Sequence, residues 1–284
     1  MKNIEIKKDI LTTKLNKELT FVHISDIHFN INTKERKLHN ITETIINIKP
    51  NYIFITGDII DNNKIIKNKN KIKELVAFLS NMSKIAPVII SLGNHDITYD
   101  EDITFFNKLN ELNNIYILNN SIYEDENIYA SGHVLQTNYY YNVTGYESKE
   151  VLLKHLDNNK NIIHNLPKNK YKITLIHSPI LLNDEDVINK LKEYDLVLSG
   201  HMHNGMIPRI TDRLIRNNYG LISPGKHLFP NNARGKIINN SYTIIISGGI
   251  TKLSLHSSRL LSKLNFIYPI SINEIKIKGE KNNE

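Results

Sequence analysis

The stretch LTFVHI, residues 19–24, followed at once by Ser25-Asp26-Ile27-His28, carries the pattern from which the fold of this 284-residue chain can be predicted. A short run of apolar and β-branched residues is typical of a buried strand. The four residues after it bring a carboxylate and an imidazole to the end of that strand. Four later runs have the same character, and the five together are predicted as strands: Leu19–Ile24, Tyr52–Thr56, Pro87–Leu92, Tyr171–Ile176 and Leu196–Ser199.

Segments with helical periodicity alternate with these strands. The predicted helices are Lys34–Ile48, Lys71–Met82, Asp102–Leu112, Lys149–Leu156 and Glu185–Leu191. This alternation indicates βαβ units with mainly parallel pairing. After His203 the pattern predicts a hairpin, Gly235–Ile238 with Tyr242–Ser247, and a last strand, Ile272–Ile277. No repeat or linker divides the chain, so one α/β domain over residues 1–284 is expected.

Each predicted strand ends in a polar cluster. The clusters are Ser25-Asp26-Ile27-His28, Gly57-Asp58-Ile59-Ile60-Asp61, Gly93-Asn94-His95-Asp96, His177-Ser178-Pro179 and Gly200-His201-Met202-His203. In open α/β sheets, ligands bind outside the carboxyl ends of the strands. Five clusters that are distant in sequence should therefore meet in space.

The residue types in these clusters favour metal binding. Imidazole, carboxylate and amide groups bind divalent ions such as Mn, Fe or Zn, and the chain has no cysteine that could offer a thiolate. So many such groups exceed what one ion needs but suit two ions that share a bridging carboxylate. Paired ions about 3.5–4 Å apart can clamp the attacking and leaving oxygens of a phosphoryl displacement.

Each cluster also has a plain structural explanation. Asp58 could cap a helix, Gly93-Asn94 is a common turn pair, and His177 could be a satisfied histidine at a strand end. For all five to be accidental, ligand-type residues would have to follow every predicted strand in a chain with only 12 histidines. A metal site is the stronger interpretation.

These clusters, in this order, resemble the five motif blocks of the calcineurin-like metallophosphoesterase superfamily. The resemblance extends from Phe21 to about Ile250. Three further segments resemble a bacterial branch of predicted phosphohydrolases: Tyr139-Tyr140-Tyr141, Gly220-Leu221-Ile222-Ser223-Pro224 and Phe229-Pro230.

The resemblance implies a fold. It is a four-layer αββα sandwich of two mixed sheets flanked by helices, whereas the spacing alone suggests a single doubly wound sheet. The hairpin Gly235–Ser247 and the strand Ile272–Ile277 would then belong to the second sheet.

The resemblance also implies roles for the clustered residues. The first metal ion would be bound by Asp26, His28 and His203, and the second by Asn94, His177 and His201, with Asp58 bridging both. His95 would not be a ligand but would protonate the leaving group, with Asp96 fixing the tautomer of His95 and raising its basicity. The nucleophile would be a metal-bridging hydroxide.

Substrate contacts are expected from segments outside the blocks. The candidates are Tyr140, His227 and Arg234, because loops held by a scaffold often carry recognition. A half-buried strand is an equal alternative for Tyr139–Tyr141. One departure affects the substrate: the chain has Ser247-Gly248-Gly249 where the branch tends to have Ser-Arg-Gly, so the branch's preference need not carry over.

The expected function is hydrolysis of phosphodiester or pyrophosphate bonds in a phosphate-ester small molecule, a nucleotide or a lipid-linked substrate. The alternatives are a phosphomonoesterase, including a protein phosphatase, and a non-catalytic scaffold of the same fold. A scaffold would be expected to lose His95 or several ligands, and all are present.

Composition bounds the partners and the compartment. The formal charge of +7 favours anionic substrates, but the lysines are scattered, so no dedicated nucleic-acid module is expected. No apolar run reaches the length of about 20 residues that spans a bilayer, and no signal peptide is visible at the N-terminus. A cytoplasmic protein is expected. The stretch Leu253–Leu264 could lie on a membrane surface, but a frayed C-terminal loop or a packed helix is the favoured interpretation.

Overall fold

Two six-stranded mixed sheets stack face to face in the computed structural model, which describes residues 4–100, 104–140, 147–224, 227–251, 268 and 270–280. The strands, numbered along the chain, are β1 Ile4–Thr13, β2 Leu19–Ile24, β3 Tyr52–Thr56, β4 Val88–Ser91, β5 Ile115–Ile117, β6 Ser121–Glu124, β7 Ile128–His133, β8 Tyr171–Ile176, β9 Leu196–Ser199, β10 Gly235–Ile238, β11 Thr243–Ile246 and β12 Ile270–Gly279. The first sheet has the order β1-β12-β2-β3-β4-β5, and the second β10-β11-β9-β8-β7-β6.

The pairing leaves one parallel block at the centre of each sheet. In the first sheet, β2 to β5 pair in parallel, and β12 is antiparallel to β2 but parallel to β1. In the second sheet, β7, β8, β9 and β11 pair in parallel, and β6 and β10 are antiparallel edge strands.

Alternation along the strands divides the core into layers. On β2 and β3, Phe21 and Phe54 point between the sheets, where they pack with Tyr171, Leu175 and other residues of the second sheet. Their neighbours on the same strands point the other way, into the layer covered by helices. Since side chains alternate between the two faces of a strand, nearly continuous apolar runs are what a strand buried on both faces requires.

Helices cover both outer faces. They are α1 Glu35–Ile48, α2 Asn63–Ile66, α3 Lys69–Ser83, α4 Asn94–Tyr99, α5 Thr104–Leu109, α6 Thr137–Tyr140, α7 Lys149–Asn158 and α8 Glu185–Leu191, with 3-10 turns at Lys160–Ile162, His203–Met206 and Arg209–Leu214. Helices α1, α3 and α5 pack on the first sheet, and α7 and α8 pack on the second. The predicted αββα sandwich is confirmed.

Two structural predictions are wrong. The strand predicted at Ile272–Ile277 belongs to the first sheet, where β12 lies between β1 and β2. The reason is β1, an N-terminal strand that was not predicted and that pairs with β12 along its whole length. The strand offered as an alternative for the Tyr139–Tyr141 run does not hold at its described residues, because Tyr139 and Tyr140 lie in the helical turn α6.

Some predictions fall on other parts of the chain. Tyr141 and the Leu253–Leu264 stretch lie outside the described residues. Within the described residues, no helix combines the length and the hydrophobicity needed to cross a bilayer.

Candidate metal centre

The five polar clusters follow neighbouring strands. In the first sheet they follow β2, β3 and β4, which lie side by side, and in the second they follow β8 and β9. Because the two sheets are stacked, the carboxyl ends of both parallel blocks meet at one end of the sandwich. His201 shows this contact, since its backbone N–H donates to Oδ2 of Asp26, at 3.0 Å, from the other sheet.

Left-handed backbone turns aim the side chains inward. Five residues of the proposed ligand set have positive φ: Asp26 at 51°, His28 at 44°, Asp58 at 52°, His201 at 66° and His203 at 48°. Such conformations cost on the order of 1–3 kcal/mol each and collect at functional sites. Backbone hydrogen bonds hold the first two, from Asp26 N–H to Gly57 O and from His28 N–H to Asp58 O.

The glycines of two blocks are required by close packing. A Cβ atom at Gly57 would overlap the backbone of Gly93, and Gly57 itself has φ of 79°. A Cβ atom at Gly93 would overlap the Asp58 carboxylate and approach the ring of His177. Only glycine lets the turns after β3 and β4 approach this closely.

One group of donors contains the residues predicted for the first ion. The donor atoms of Asp26, His28 and His203 all lie within 4.8 Å of one another. Oδ1 of Asp26 is 3.9 Å from Nε2 of His28 and 3.8 Å from Nε2 of His203. The other oxygen of Asp26 accepts hydrogen bonds from the Ser25 hydroxyl and the His201 N–H, so Oδ1 is the oxygen left to face an ion.

A second group contains residues predicted for the second ion. The donor atoms of Asp58, His177 and His201 also lie within 4.8 Å of one another. Oδ2 of Asp58 is 3.4 Å from Nε2 of His177 and 3.6 Å from Nε2 of His28. A single carboxylate oxygen therefore faces both groups. Asn94, the remaining predicted ligand, is buried at the start of α4 in the same block as His95.

Unsatisfied buried atoms test whether these groups fit a metal ion. Oδ1 of Asp26 and Nε2 of both His28 and His177 are buried without a hydrogen-bond partner among the described residues. An unsatisfied buried polar atom costs about 1–3 kcal/mol, and more when it is charged. Cations placed between these atoms would satisfy them all, so the donor set fits divalent ions.

The same packing shifts the pKa values of the site. Burial alone would raise the pKa of Asp58, but the imidazoles of His177 and His95 hold it well below its usual range. Burial would lower the pKa of His177, yet the Asp58 carboxylate overrides it and raises the pKa to about 9. Each group thus favours the charged form of the other, as a cation does at a carboxylate.

Four of the five clustered histidine rings are oriented by an oxygen at Nδ1. Nδ1 of His177 is 2.6 Å from the Thr56 carbonyl, and Nδ1 of His203 is 2.8 Å from the Thr251 carbonyl. The other two contacts involve Asp61. Its Oδ1 is 3.4 Å from Nδ1 of His28, an ion-pair contact without the geometry of a hydrogen bond, and its carbonyl is 3.0 Å from Nδ1 of His95. In a neutral ring, an Nδ1–H that is held in this way leaves Nε2 as the lone-pair nitrogen.

Asp61 was given no role by the sequence. Its place in the sequence could have suggested a role, since Asp61 is the last residue of the polar cluster after β3. In the structure it is buried. Its carboxylate and its carbonyl orient two different rings, which the spacing of residues along the chain does not reveal.

The predicted action of Asp96 on the His95 ring stays a prediction, because the described hydrogen bonds of Asp96 go to the backbone. The Asp96 carboxylate accepts hydrogen bonds from three backbone N–H groups, of Gly93, Ile59 and Ile60, at 3.0, 2.9 and 3.0 Å. Asp96 therefore ties the turn after β4 to the turn after β3. The His95 ring takes its orientation from the Asp61 carbonyl.

The three predicted substrate-contacting residues differ in their surroundings. The ring of Tyr140 lies 5.5 Å from that of His201 and 6.1 Å from that of His177, at the second donor group. His227 is half-buried in the loop after Ser223, to whose hydroxyl it donates its backbone N–H. Arg234 is buried, and its described contacts are with Asp212 and the carbonyls of Tyr219 and Ile215.

Comparison with known proteins identifies the class. The family model for calcineurin-like phosphoesterases matches residues 19–205, and the chain belongs to that family. It is 27% identical over 248 residues to the uncharacterized metallophosphoesterase YkoQ of Bacillus subtilis (strain 168), covering 82% of this chain and 77% of that protein. An uncharacterized metallophosphoesterase of Aquifex aeolicus (strain VF5) is 25% identical over 238 residues, covering 78% and 80%.

Among solved structures, a dimetal phosphatase from Danio rerio matches with a TM-score of 0.47 and 13% identity, over 84% of this chain and 90% of that one. The family and the bacterial relatives identify a metal-binding hydrolase of phosphoric esters.

Proposed function

We propose that this metallophosphoesterase hydrolyses phosphodiester or pyrophosphate bonds with two divalent ions, Mn, Fe or Zn, held side by side. The observation that carries the proposal is the position of Oδ2 of Asp58, which faces His28 of one donor group and His177 of the other. A carboxylate shared in this way is what a pair of ions about 3.5–4 Å apart requires.

The proposed ligands come from two of the three donor groups; the third, His28, Asp58 and His95, overlaps both. Asp26, His28 and His203 would hold the first ion, Asn94, His177 and His201 the second, and Asp58 both. When bound, the ions would make water acidic enough to attack at neutral pH and would polarise the phosphoryl oxygens. The chain's part is to orient the donors and to exclude bulk water from a buried site.

His95 is the proposed proton donor to the leaving group. Its ring lies 4.6 Å, centroid to centroid, from that of His28, and the Asp61 carbonyl fixes Nδ1 as the protonated nitrogen. Burial lowers the pKa of His95, opposed by the Asp58 carboxylate. An anionic ester beside the ring raises the pKa again, which favours the imidazolium that an alkoxide leaving group needs.

The charges around the site favour a substrate with one negative charge on phosphorus. Within the described residues, the ion pairs of Asp26 and Asp58 are all with histidines, and no Lys or Arg joins them. A phosphodiester needs less neutralisation than a phosphomonoester dianion, so a nucleotide or lipid-linked diester or pyrophosphate is the first choice and a phosphomonoester the second. We also propose that the enzyme is cytoplasmic and that residues 1–284 form one domain.

The test is a comparison of two chromogenic esters. The manganese-loaded protein should hydrolyse bis-p-nitrophenyl phosphate with a higher kcat/KM than p-nitrophenyl phosphate. Asp58→Asn should abolish both activities, which excludes a contaminating phosphatase. The reverse preference would identify a phosphomonoesterase, and no hydrolysis of either ester by a protein with two bound ions would favour the scaffold alternative.

A further inference from the structure

Among the five clustered histidine rings, His201 alone has its described oxygen contact at Nε2 rather than at Nδ1. In the other four, an oxygen lies against Nδ1 and leaves Nε2 to the centre of the site. In His201 it is Nε2 that faces an oxygen, Oε1 of Glu147, at 3.6 Å. The ring is therefore turned the other way round relative to its neighbours.

Glu147 comes from outside all five motif blocks. It precedes α7, whose first turn is capped by the Ser148 side chain, and the Ser148 backbone N–H donates to the Tyr139 carbonyl. These hydrogen bonds hold the backbone next to Glu147 in place. Its side chain is only 8% exposed, and Oε1 accepts a hydrogen bond from the Ser178 hydroxyl at 3.3 Å.

The carboxylate lies beside the second donor group but is not a member of it. The donor atoms of Asp58, His177 and His201 lie within 4.8 Å of one another, and this group does not include Glu147. Glu147 thus faces Nε2 of His201 without belonging to the donor group. A metal-bound histidine commonly has a carboxylate or carbonyl acceptor at the nitrogen that does not bind the ion.

We propose that Glu147 is a positioning residue for the second metal ion: it accepts Nε2–H of His201 and thereby presents Nδ1 of that ring as the ligand nitrogen. The proposal rests on the proposed function, because it takes the two donor groups as ion sites. The present separation of 3.6 Å is slightly longer than a hydrogen bond, and a small rotation of either side chain would bring the two atoms within that distance. The carboxylate also makes His201 a more basic ligand.

The proposal connects binding of the second ion to two residues outside the motif blocks, Tyr140 and Glu147. Tyr140 ends α6 with its ring 5.5 Å from that of His201, and Glu147 precedes α7 and contacts the same ring. Both flanks of the connection from α6 to α7 therefore meet at His201. Affinity for the second ion, but not for the first, should depend on Glu147.

Calorimetric titration of the metal-free full chain with Mn²⁺ alone tests this. Glu147→Ala should weaken the second binding event by about 10–100-fold and leave the first unchanged, the usual effect of removing the outer partner of a ligand histidine. Glu147→Gln keeps an acceptor oxygen and should fall between Glu147→Ala and wild type. The matched control is Glu150→Ala, which removes the same charge from an exposed position three residues along.

Two results would overturn the inference. One is a Glu147→Ala protein that binds both ions as wild type does. The other is equal weakening of both ions together with a lower melting temperature of the metal-free protein, which would indicate a merely structural role. The titration contains no substrate, so a wild-type protein that binds two ions but hydrolyses no ester would overturn the proposed function and leave the role of Glu147 standing.

Discussion

Oδ2 of Asp58 lies 3.4 Å from Nε2 of His177, although Asp58 follows β3 in the first sheet and His177 follows β8 in the second. The contact joins the two sheets at the site, and the same oxygen is 3.6 Å from Nε2 of His28. The site is thus assembled by the stacking of the sheets, and the Asp58 carboxylate faces a histidine of each donor group.

Replacement of Asp58 should affect both ions. Asp58→Asn keeps the size of the side chain but removes the negative charge that two cations would share, so the protein should lose both ions rather than one. Elemental analysis after dialysis against trace Mn²⁺ measures this. Asp157→Asn, at a carboxylate 40% exposed on α7, is the control and should keep the wild-type metal content.

A comparison of the variants His95→Ala and His177→Ala should separate proton donation from metal binding. His95→Ala should keep both ions but lose roughly 10²–10⁴ in turnover of esters with poor leaving groups, the usual worth of a positioned acid. The loss should shrink for p-nitrophenyl esters, whose leaving group barely needs a proton. His177→Ala should instead lower occupancy of the second ion and slow all esters alike. A His95→Ala protein that has lost its metal would contradict the acid role.

Asp61 should act on the first ion through His28. Its Oδ1 lies 3.4 Å from Nδ1 of His28, so Asp61→Ala should weaken binding of the first Mn²⁺ by about 10–100-fold. Because the Asp61 carbonyl that contacts His95 belongs to the backbone, that contact should remain. Calorimetry in which the second ion is weakened and the first is not would contradict the assignment.

Buried neutral histidines should make the fold acid-sensitive. Burial lowers the pKa of His133 to about 3, with a further contribution from His155, whose Nε2 is 3.1 Å from Nδ1 of His133. The unfolded chain therefore binds more protons than the folded chain between pH about 6.5 and about 3, and stability falls as the pH falls through that window. The slope is about 1.4 kcal/mol per pH unit for each such histidine.

Urea unfolding of the metal-free protein at several pH values in this window measures the slope. His133→Gln should reduce it by about 1.4 kcal/mol per pH unit below pH about 6.5. His39→Gln, at an exposed position on α1, is the matched control and should keep the wild-type slope. An unchanged slope in His133→Gln would mean that this ring does not stay neutral in the folded protein.

The central strands could be predicted because they are buried on both faces. Leu19–Ile24, Tyr52–Thr56, Tyr171–Ile176 and Leu196–Ser199 are strands with the predicted bounds, since a fully buried strand reads as a short apolar run between polar clusters. Of the edge strands β1, β5, β6 and β10, only β10 was predicted. In β1 the apolar residues Ile6 and Ile10 are exposed and the charged residues Lys7 and Asp9 are half-buried, so no apolar run marks the strand. Its partner and register come from β12, near the other end of the chain.

The site was predictable to a similar extent. The residues proposed as ligands come together because strand ends in parallel blocks must converge, which is a property of the fold class. The outer partners of the histidines depend on contacts between segments that no spacing rule describes. Asp61 and Glu147, and the backbone bonds of Asp96, were for this reason found only in the structure.

The most direct test of a two-ion site is stepwise reconstitution. Protein freed of metal by chelation and dialysis is titrated with Mn²⁺ while bound metal and hydrolysis of bis-p-nitrophenyl phosphate are measured on the same samples. A shared Asp58 predicts two ions per chain and activity that rises mainly with the second equivalent. Full activity in excess chelator, or full activity at one ion per chain, would contradict it.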